Sequence, residues 1–60
     1  MTEFEARVVL GLHEDDPIDM AGLKEYLAWL EDRLTRCQKY EKPRRRKEIK
    51  AVQKLLSIYG

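Results

Sequence analysis

The sequence contains only one cysteine, one histidine, two prolines and three glycines in 60 residues. The lone cysteine, Cys37, cannot form a disulfide within the chain, and with His13 it cannot supply the four Cys or His ligands of a structural zinc site. A chain this short buries only about 60% of the surface that its unfolded form exposes, so such domains often need a further stabilising element. Because disulfides and zinc are excluded, we expect that element to be self-association, as a homodimer.

Long apolar runs are also absent. The longest unbroken apolar stretch is 26–30, much shorter than the about 18 residues that a membrane-spanning helix needs. The start of the chain is acidic and has no apolar core, so we expect no secretory leader. The single thiol fits a reducing compartment, and we therefore expect a cytoplasmic protein with no membrane contact.

Side chains that carry catalysis are few and scattered. His13, Cys37 and Ser57 are far apart in the sequence, whereas a nucleophile needs a base and the base needs an orienting group. We interpret Cys37 as a core residue and His13 as a loop residue. The acids at 14–19 lack the spacing and the glycine of a calcium loop, and a helix start explains them. We therefore expect no enzyme, no metal, no cofactor and no small-molecule substrate.

Helical periodicity dominates the rest of the sequence. Asp16 and Pro17 are typical of an N-cap and a first helical residue. They precede a heptad seam of Met20, Leu23, Leu27, Leu30, Leu34 and Cys37, which predicts a helix over 17–40. Lys42 and Pro43 end that helix. A second helix over 43–59 is predicted by apolar residues at helical spacing, namely Ile49, Val52, Leu55, Leu56 and Tyr59.

The short connection between these helices predicts an all-α fold built on an antiparallel two-helix hairpin, in one domain spanning 1–60. If the chain folds back at Glu41, the second helix ends before it reaches Met20 and Leu23. We therefore expect the N-terminal segment or another chain to cover those two residues.

The N-terminal segment 1–15 fits two structures. Its apolar residues alternate with other residues at the period of a strand, namely Phe4, Ala6, Val8, Leu10 and Leu12. Phe4, Val8 and Leu12 are also spaced as on one face of a helix. Thr2 and Glu5 form a capping box, which favours a short helix. The other possibility is a strand shared across a dimer, because the chain offers no second strand to pair with it.

The first helix carries a second apolar stripe that also needs a partner. Tyr26 and Trp29 lie off the heptad seam, and aromatic residues of this kind are enriched at binding hot spots. Either the N-terminal segment or another protein would cover them. We predict a protein interface formed by Met20, Leu23, Tyr26 and Trp29.

Charge is divided unevenly along the chain, although the net charge is only +1. Residues 1–32 contain nine acids and two bases, whereas residues 33–60 contain ten bases and two acids. Such asymmetry favours a polyanionic partner. The run Arg44–Lys47 is the most informative part. It falls in the first turn of a helix, where the macrodipole makes each cation cost about 0.3–1 kcal/mol.

This basic cluster has three explanations. The hairpin tip could bind the phosphates of nucleic acid, through Arg36, Lys39, Lys42, Arg44, Arg45, Arg46 and Lys47. The tip could instead neutralise the acidic end of another copy in a dimer, or it could have no partner. The first explanation predicts a non-enzymatic accessory or regulatory protein that binds nucleic acid. The alternative function is an adaptor or inhibitor that docks Tyr26 and Trp29 on a larger protein.

Overall fold

The computed structural model describes all residues from Met1 to Gly60 and contains three helices and no strand. Helix α1 spans Glu3–Val9, α2 spans Met20–Arg36 and α3 spans Lys42–Tyr59. The all-α class is therefore confirmed, and the alternative of a strand in the N-terminal segment is wrong. None of the three helices combines the length and the apolar composition that a membrane span requires.

Helix α1 starts with the Thr2 N-cap, which forms one of the two bonds of the predicted capping box. The Thr2 hydroxyl oxygen accepts the backbone N–H of Glu5 at 3.2 Å, and the Thr2 hydroxyl donates to the Glu5 carboxylate at 3.3 Å. Glu3 and Glu5 also place negative charge in the first turn, where the helix dipole favours it. These local contacts are the reason that the segment forms a helix despite its alternating apolar pattern.

A Schellman motif closes the other end of α1. Gly11 has a positive φ of 74°, and its N–H donates to the Val8 carbonyl at 3.1 Å. The N–H of Leu12 donates to the Arg7 carbonyl at 2.7 Å. This motif needs a left-handed residue directly after the helix, and glycine adopts that conformation without steric cost.

Helix α2 begins later than predicted, at Met20 instead of Pro17. In a helix starting at Pro17, the carbonyl of Asp16 would accept the first helical hydrogen bond, but it accepts a guanidinium N–H of Arg7 at 2.9 Å. The Asp16 carboxylate accepts the backbone N–H of His13 at 2.9 Å. The predicted N-cap residue therefore stabilises the loop before the helix instead of the helix itself.

Helix α2 also ends earlier than predicted, at Arg36 instead of residue 40. Cys37 already has an extended backbone, with φ −76° and ψ 164°. The Thr35 hydroxyl donates to the Asp32 carbonyl at 2.7 Å, a local side-chain bond that competes with helix continuation. The chain can then turn back at once, and α3 begins within one residue of its predicted start.

Helix α3 is the element that joins the fold, because both α1 and α2 pack against it. The buried apolar core draws on all three helices and consists of Ala6, Leu23, Leu30, Ala51, Val52 and Leu55. Of the predicted heptad seam, Leu23 and Leu30 are buried. The other four seam residues are half-buried.

Helices α2 and α3 pack antiparallel to each other along the whole of α2. Arg33 near the end of α2 meets Glu41 at the start of α3, and a Cβ at Gly60 would lie 3.3 Å from the Met20 methyl. The prediction that the second helix ends before it reaches Met20 is therefore wrong. Because α2 stops at residue 36, the turn comes earlier and α3 is long enough to reach the start of α2.

We predict that Gly11→Ala lowers the free energy of unfolding by about 1–2 kcal/mol, because alanine is strained in the left-handed region. A Cβ on Gly11 would meet no atom within 4 Å, so the loss would report backbone strain and not a clash. Gly11→Asn should lose less, since asparagine tolerates positive φ better than alanine. Urea unfolding followed by circular dichroism measures both variants. Equal losses would contradict a role for the left-handed conformation.

Candidate functional site

The predicted phosphate contacts surround the connection between α2 and α3. Arg36 lies in the last turn of α2, Lys39 lies in the connection 37–41, and the others lie in the first turns of α3. From Arg33 to Glu48 the chain carries eight bases and two acids. We call this surface the basic tip, and it consists of Arg36, Lys39, Lys42, Arg44, Arg45, Arg46 and Lys47.

Arg45 differs from the rest of the basic tip because its guanidinium is held within the fold. Its Nε donates to the Glu41 carboxylate at 2.8 Å, and its Nη1 donates to the Glu48 carboxylate. The guanidinium carbon also lies 5.5 Å from the centre of the Trp29 ring, within cation–π range. With 18% of its side chain exposed, Arg45 is a structural residue whose charge two carboxylates already balance.

Tyr26 and Trp29 belong to the same network. Their rings stack with centroids 5.7 Å apart and an interplanar angle of 9°. The Tyr26 hydroxyl donates to the Glu48 carboxylate at 2.7 Å, and burial together with this bond raises the pKa of Tyr26. Glu48 is only 7% exposed. A buried carboxylate needs hydrogen-bonded partners, and Tyr26 and Arg45 supply them.

The predicted protein interface is therefore largely occupied by contacts within the chain. Leu23 is a core residue, and Met20 and Tyr26 are half-buried. Trp29 keeps 49% of its surface exposed. Among the four predicted interface residues, Trp29 has the largest exposed fraction.

Glu41 ties the ends of the two long helices together. Arg33 donates to its two carboxylate oxygens at 2.9 and 3.2 Å, while Arg45 donates to one of them. The hydrogen bonds from Arg33 and Arg45 lower the pKa of Glu41 from 4.5 to about 2. The same bonds raise the pKa of both arginines. The sequence signal for this role is an acid at the N-cap of α3, four residues before Arg45.

The other cations of the basic tip are much less constrained. Arg44 lies 4.0 Å from Glu48 with 79% of its side chain exposed. Arg36 pairs with Asp32 at 3.4 Å, but both side chains are exposed, and such surface pairs contribute at most about 1 kcal/mol. The remaining members have no ion pair: Lys39, Arg46 and Lys47 are exposed, and Lys42 is half-buried. These six cations are accessible to an anionic ligand.

An exposed aromatic ring lies within the basic tip. Tyr40 is 84% exposed, more than any other large apolar side chain of the protein. It follows Lys39 directly in the connection and lies two residues before Lys42, the first residue of α3. An accessible aromatic face among cations is the arrangement on which single-stranded bases stack. The sequence signal was an aromatic residue between lysines in a short connection, and it was not included in the predicted site.

A second arginine network lies at the far end of α3 and was not predicted. Arg7 is only 6% exposed, and its Nη1 donates to the carbonyls of His13 and Asp16 at 2.8 and 2.9 Å. Its Nη2 donates to the Tyr59 hydroxyl at 3.1 Å, and its Nε donates to the Glu3 carboxylate at 3.1 Å. The Tyr59 hydroxyl donates to Glu3 in turn. The hydrogen bonds to Tyr59 and Arg7 lower the pKa of Glu3.

An apolar groove lies between α2 and the loop that precedes it. Its volume is about 340 Å³, and it is lined by Leu10, Leu12, Pro17, Ile18, Asp19, Gly22, Leu23 and Tyr26. Asp19 is its one charged residue and caps α2 without a side-chain hydrogen bond to the helix. Tyr26, which lines the groove, stacks on Trp29.

Neither a metal centre nor a known relative assigns a role to these surfaces. No group of three or more His, Cys, Asp or Glu side chains in the structure could hold a metal ion. Comparison of the chain with protein-family models, curated proteins and solved structures found no match. The chemistry of the basic tip and of the apolar groove is therefore the basis for a functional proposal.

We predict that acid destabilises the protein through Glu41, whose pKa falls from 4.5 to about 2 on folding. A carboxylate with a lowered folded-state pKa stabilises the fold fully above its unfolded pKa, and this contribution is lost as pH falls toward the folded-state pKa. Glu41→Gln should therefore lower the urea midpoint at neutral pH and flatten its decline between pH 4.5 and about 2. Urea midpoints measured across this range test the prediction.

The matched control is Glu31→Gln, which removes an exposed α2 carboxylate that has no ion pair. This variant should follow the wild-type pH profile. If Glu41→Gln also followed the wild-type profile, the Arg33–Glu41–Arg45 contacts would not contribute to stability.

Proposed function

We propose that the protein is a non-enzymatic accessory or regulatory protein of the cytoplasm that binds nucleic acid through its basic tip. In this proposal it acts as a homodimer of antiparallel two-helix hairpins, each with its short N-terminal helix. Six cations of the tip would contact phosphates, namely Arg36, Lys39, Lys42, Arg44, Arg46 and Lys47. Arg45 is not among them, because Glu41 and Glu48 already hold its guanidinium.

The observation that carries the proposal is the uncompensated charge at the start of α3. Cations in a first helical turn are destabilising unless an anion lies nearby. The two acids of this region, Glu41 and Glu48, are hydrogen-bonded to Arg33, Arg45 and Tyr26. The cations at 44, 46 and 47 receive little of that compensation. A polyanion would supply it, and phosphate is the anion that arginine and lysine bind most readily in nucleic acids.

Tyr40 favours single-stranded nucleic acid over a duplex. Its ring is 84% exposed, and stacking of a base on an aromatic ring is worth about 1–3 kcal/mol. Bases within a duplex are already stacked on one another and cannot use this ring. No helix of the protein presents a set of polar side chains arranged to read base edges, so we expect little sequence selectivity.

We predict salt-dependent binding to short RNA and DNA oligonucleotides. For about six neutralised phosphates, the slope of log affinity against log salt should be near −5 for duplex DNA and near −4 for single strands. Fluorescence anisotropy at several salt concentrations measures the slopes. Undetectable binding at low salt would contradict the proposal. Tyr40→Ala should weaken binding to single strands and leave duplex binding unchanged.

Charge variants test whether the tip is the binding surface. Combining Arg44→Gln, Arg46→Gln and Lys47→Gln should reduce the magnitude of the duplex slope by about 3, since each phosphate contact contributes about 0.9. The control combines Lys24→Gln, Lys50→Gln and Lys54→Gln, which removes the same charge outside the tip. Equal effects of the two triple variants would show that only net charge matters.

The second candidate function is a protein-binding adaptor or inhibitor. The apolar groove of about 340 Å³ supports it, because such hollows accept apolar side chains of a partner. Trp29, which is 49% exposed and stacks on the groove residue Tyr26, would be the anchor. In this alternative a larger protein, and not nucleic acid, is the partner.

We predict that a pull-down from the source cell, made with and without nuclease, separates the two functions. Partners lost on nuclease treatment support nucleic-acid binding, and partners that survive support the adaptor. For the adaptor, Trp29→Ala should abolish recovery of the partner while circular dichroism shows an intact fold. Tyr40→Ala, which also removes an exposed aromatic ring, should retain the partner. Retention by Trp29→Ala would contradict the adaptor.

A further inference from the structure

Helix α1 presents an apolar face to solvent. Phe4 is 64% exposed, Val8 is 59% exposed and Met1 is 45% exposed. Phe4 and Val8 are one helical turn apart, so their side chains lie side by side. The opposite side of the helix packs against α3 through Ala6, which is fully buried, and through Arg7. The apolar stripe of Phe4 and Val8, which would normally pack against the core, therefore faces solvent.

The other exposed apolar residues do not form such a face. Trp29 stacks on Tyr26 and lies under Arg45, and the Tyr59 hydroxyl takes part in the Arg7 network. Tyr40 and Ile58 are single exposed side chains, which are common on protein surfaces. Met1, Phe4 and Val8 form a contiguous exposed apolar face, and such faces are typical of interaction sites. We call this surface the α1 face.

The α1 face contains both parts of a self-complementary contact. Beside the protruding Phe4 ring lies a hollow of about 190 Å³, lined by Met1, Phe4, Glu5, Val8, Val9 and Lys47. Glu5 and Lys47 both line it and carry opposite charges. A surface that carries a projection, a hollow, an acid and a base can bind its own copy about a two-fold axis, since each element then meets its complement.

We propose that the α1 face is the interface of a two-fold dimer of this chain. The Phe4 ring of each copy enters the hollow of the other copy, and Glu5 of each copy pairs with Lys47 of the other. This interface defines the dimer of the proposed function, and it does not require nucleic-acid binding. It also differs from the interface predicted at Met20, Leu23, Tyr26 and Trp29, which contacts within the chain largely occupy.

The size of the α1 face predicts a weak dimer. Three apolar side chains per copy cover less than the about 800 Å² per partner of a standard interface. We therefore expect a dissociation constant in the micromolar range, on the order of 10 to 500 µM. The core contains only six buried apolar residues, so burial of three more per copy adds substantially to the apolar contacts of the protein.

Sedimentation equilibrium of the full 60-residue chain tests the proposal at loading concentrations from about 5 µM to about 1 mM, which bracket the expected constant. The wild type should shift from monomer to dimer over this range. Phe4→Ala combined with Val8→Ala should raise the dissociation constant about tenfold or more. Both side chains are exposed, so circular dichroism should show a folded monomer. The matched control is Tyr40→Ala, which should dimerise like the wild type.

A charge exchange tests the pairing of Glu5 with Lys47. Glu5→Lys alone and Lys47→Glu alone each place like charges opposite each other across the two-fold axis, and each should dimerise more weakly than the wild type. An equimolar mixture of the two variants restores both opposite-charge pairs, so a heterodimer should form. A mixture that remains as monomeric as its components would overturn the proposed arrangement.

Three further results would overturn the proposal. They are a monomeric wild type at about 1 mM, unchanged dimerisation of the Phe4 and Val8 variant, and loss of dimerisation by Tyr40→Ala. Nucleic-acid binding is judged separately, because replacing Phe4 and Val8 leaves every cation of the basic tip in place. Because Lys47 is paired with Glu5 only in the dimer, a monomeric variant with a salt slope per chain at least as steep as that of the wild type would support both surfaces. A dimer without nucleic-acid binding would contradict the proposed function alone.

Discussion

The hydrogen bonds to the Glu41 carboxylate fix the arrangement of the two long helices. The carboxylate accepts hydrogen bonds from Arg33 near the end of α2 and from Arg45 in α3, so the chain must turn between them. Because the turn lies there, α3 is long enough to run the full length of α2 and to carry Tyr59 to Arg7. Helix α1 is in turn held against the far end of α3, where Arg7 meets Tyr59.

Two arginine networks, one at each end of α3, supplement a small apolar core. Arg45 and Arg7 each satisfy several acceptors at once, which suits a planar guanidinium with five donors and would not suit lysine. No buried polar side-chain atom of the protein lacks a hydrogen-bond partner. These networks also distinguish the charged side chains that stabilise the fold from those that do not. Arg44, Arg46 and Lys47 belong to the second group.

Local patterns were sufficient to predict the helical class, the Thr2 N-cap of α1, the extent of α3 and most of the apolar core. They were insufficient for both ends of α2. Its start depends on the contact of Arg7 with Asp16, and its end depends on the extended backbone of Cys37 and the bond from the Thr35 hydroxyl to Asp32, none of which periodicity contains. The sequence pattern also did not reveal which face of α1 packs inward. Arg7 can be buried only because carbonyls from the following loop reach it. Gly11 was a readable signal for the end of α1. For the site, the cluster of cations was evident from the sequence, whereas the structural role of Arg45 required its three-dimensional neighbours.

The contact between Arg7 and Tyr59 joins residues 52 positions apart in the chain. Closing a loop that includes nearly the whole polypeptide is entropically expensive, whereas α2 and α3 can pair through a short turn. We therefore expect the two long helices to assemble first and α1 to dock last. The amide hydrogens of α1 would then exchange with solvent through a partial opening in which α2 and α3 stay folded.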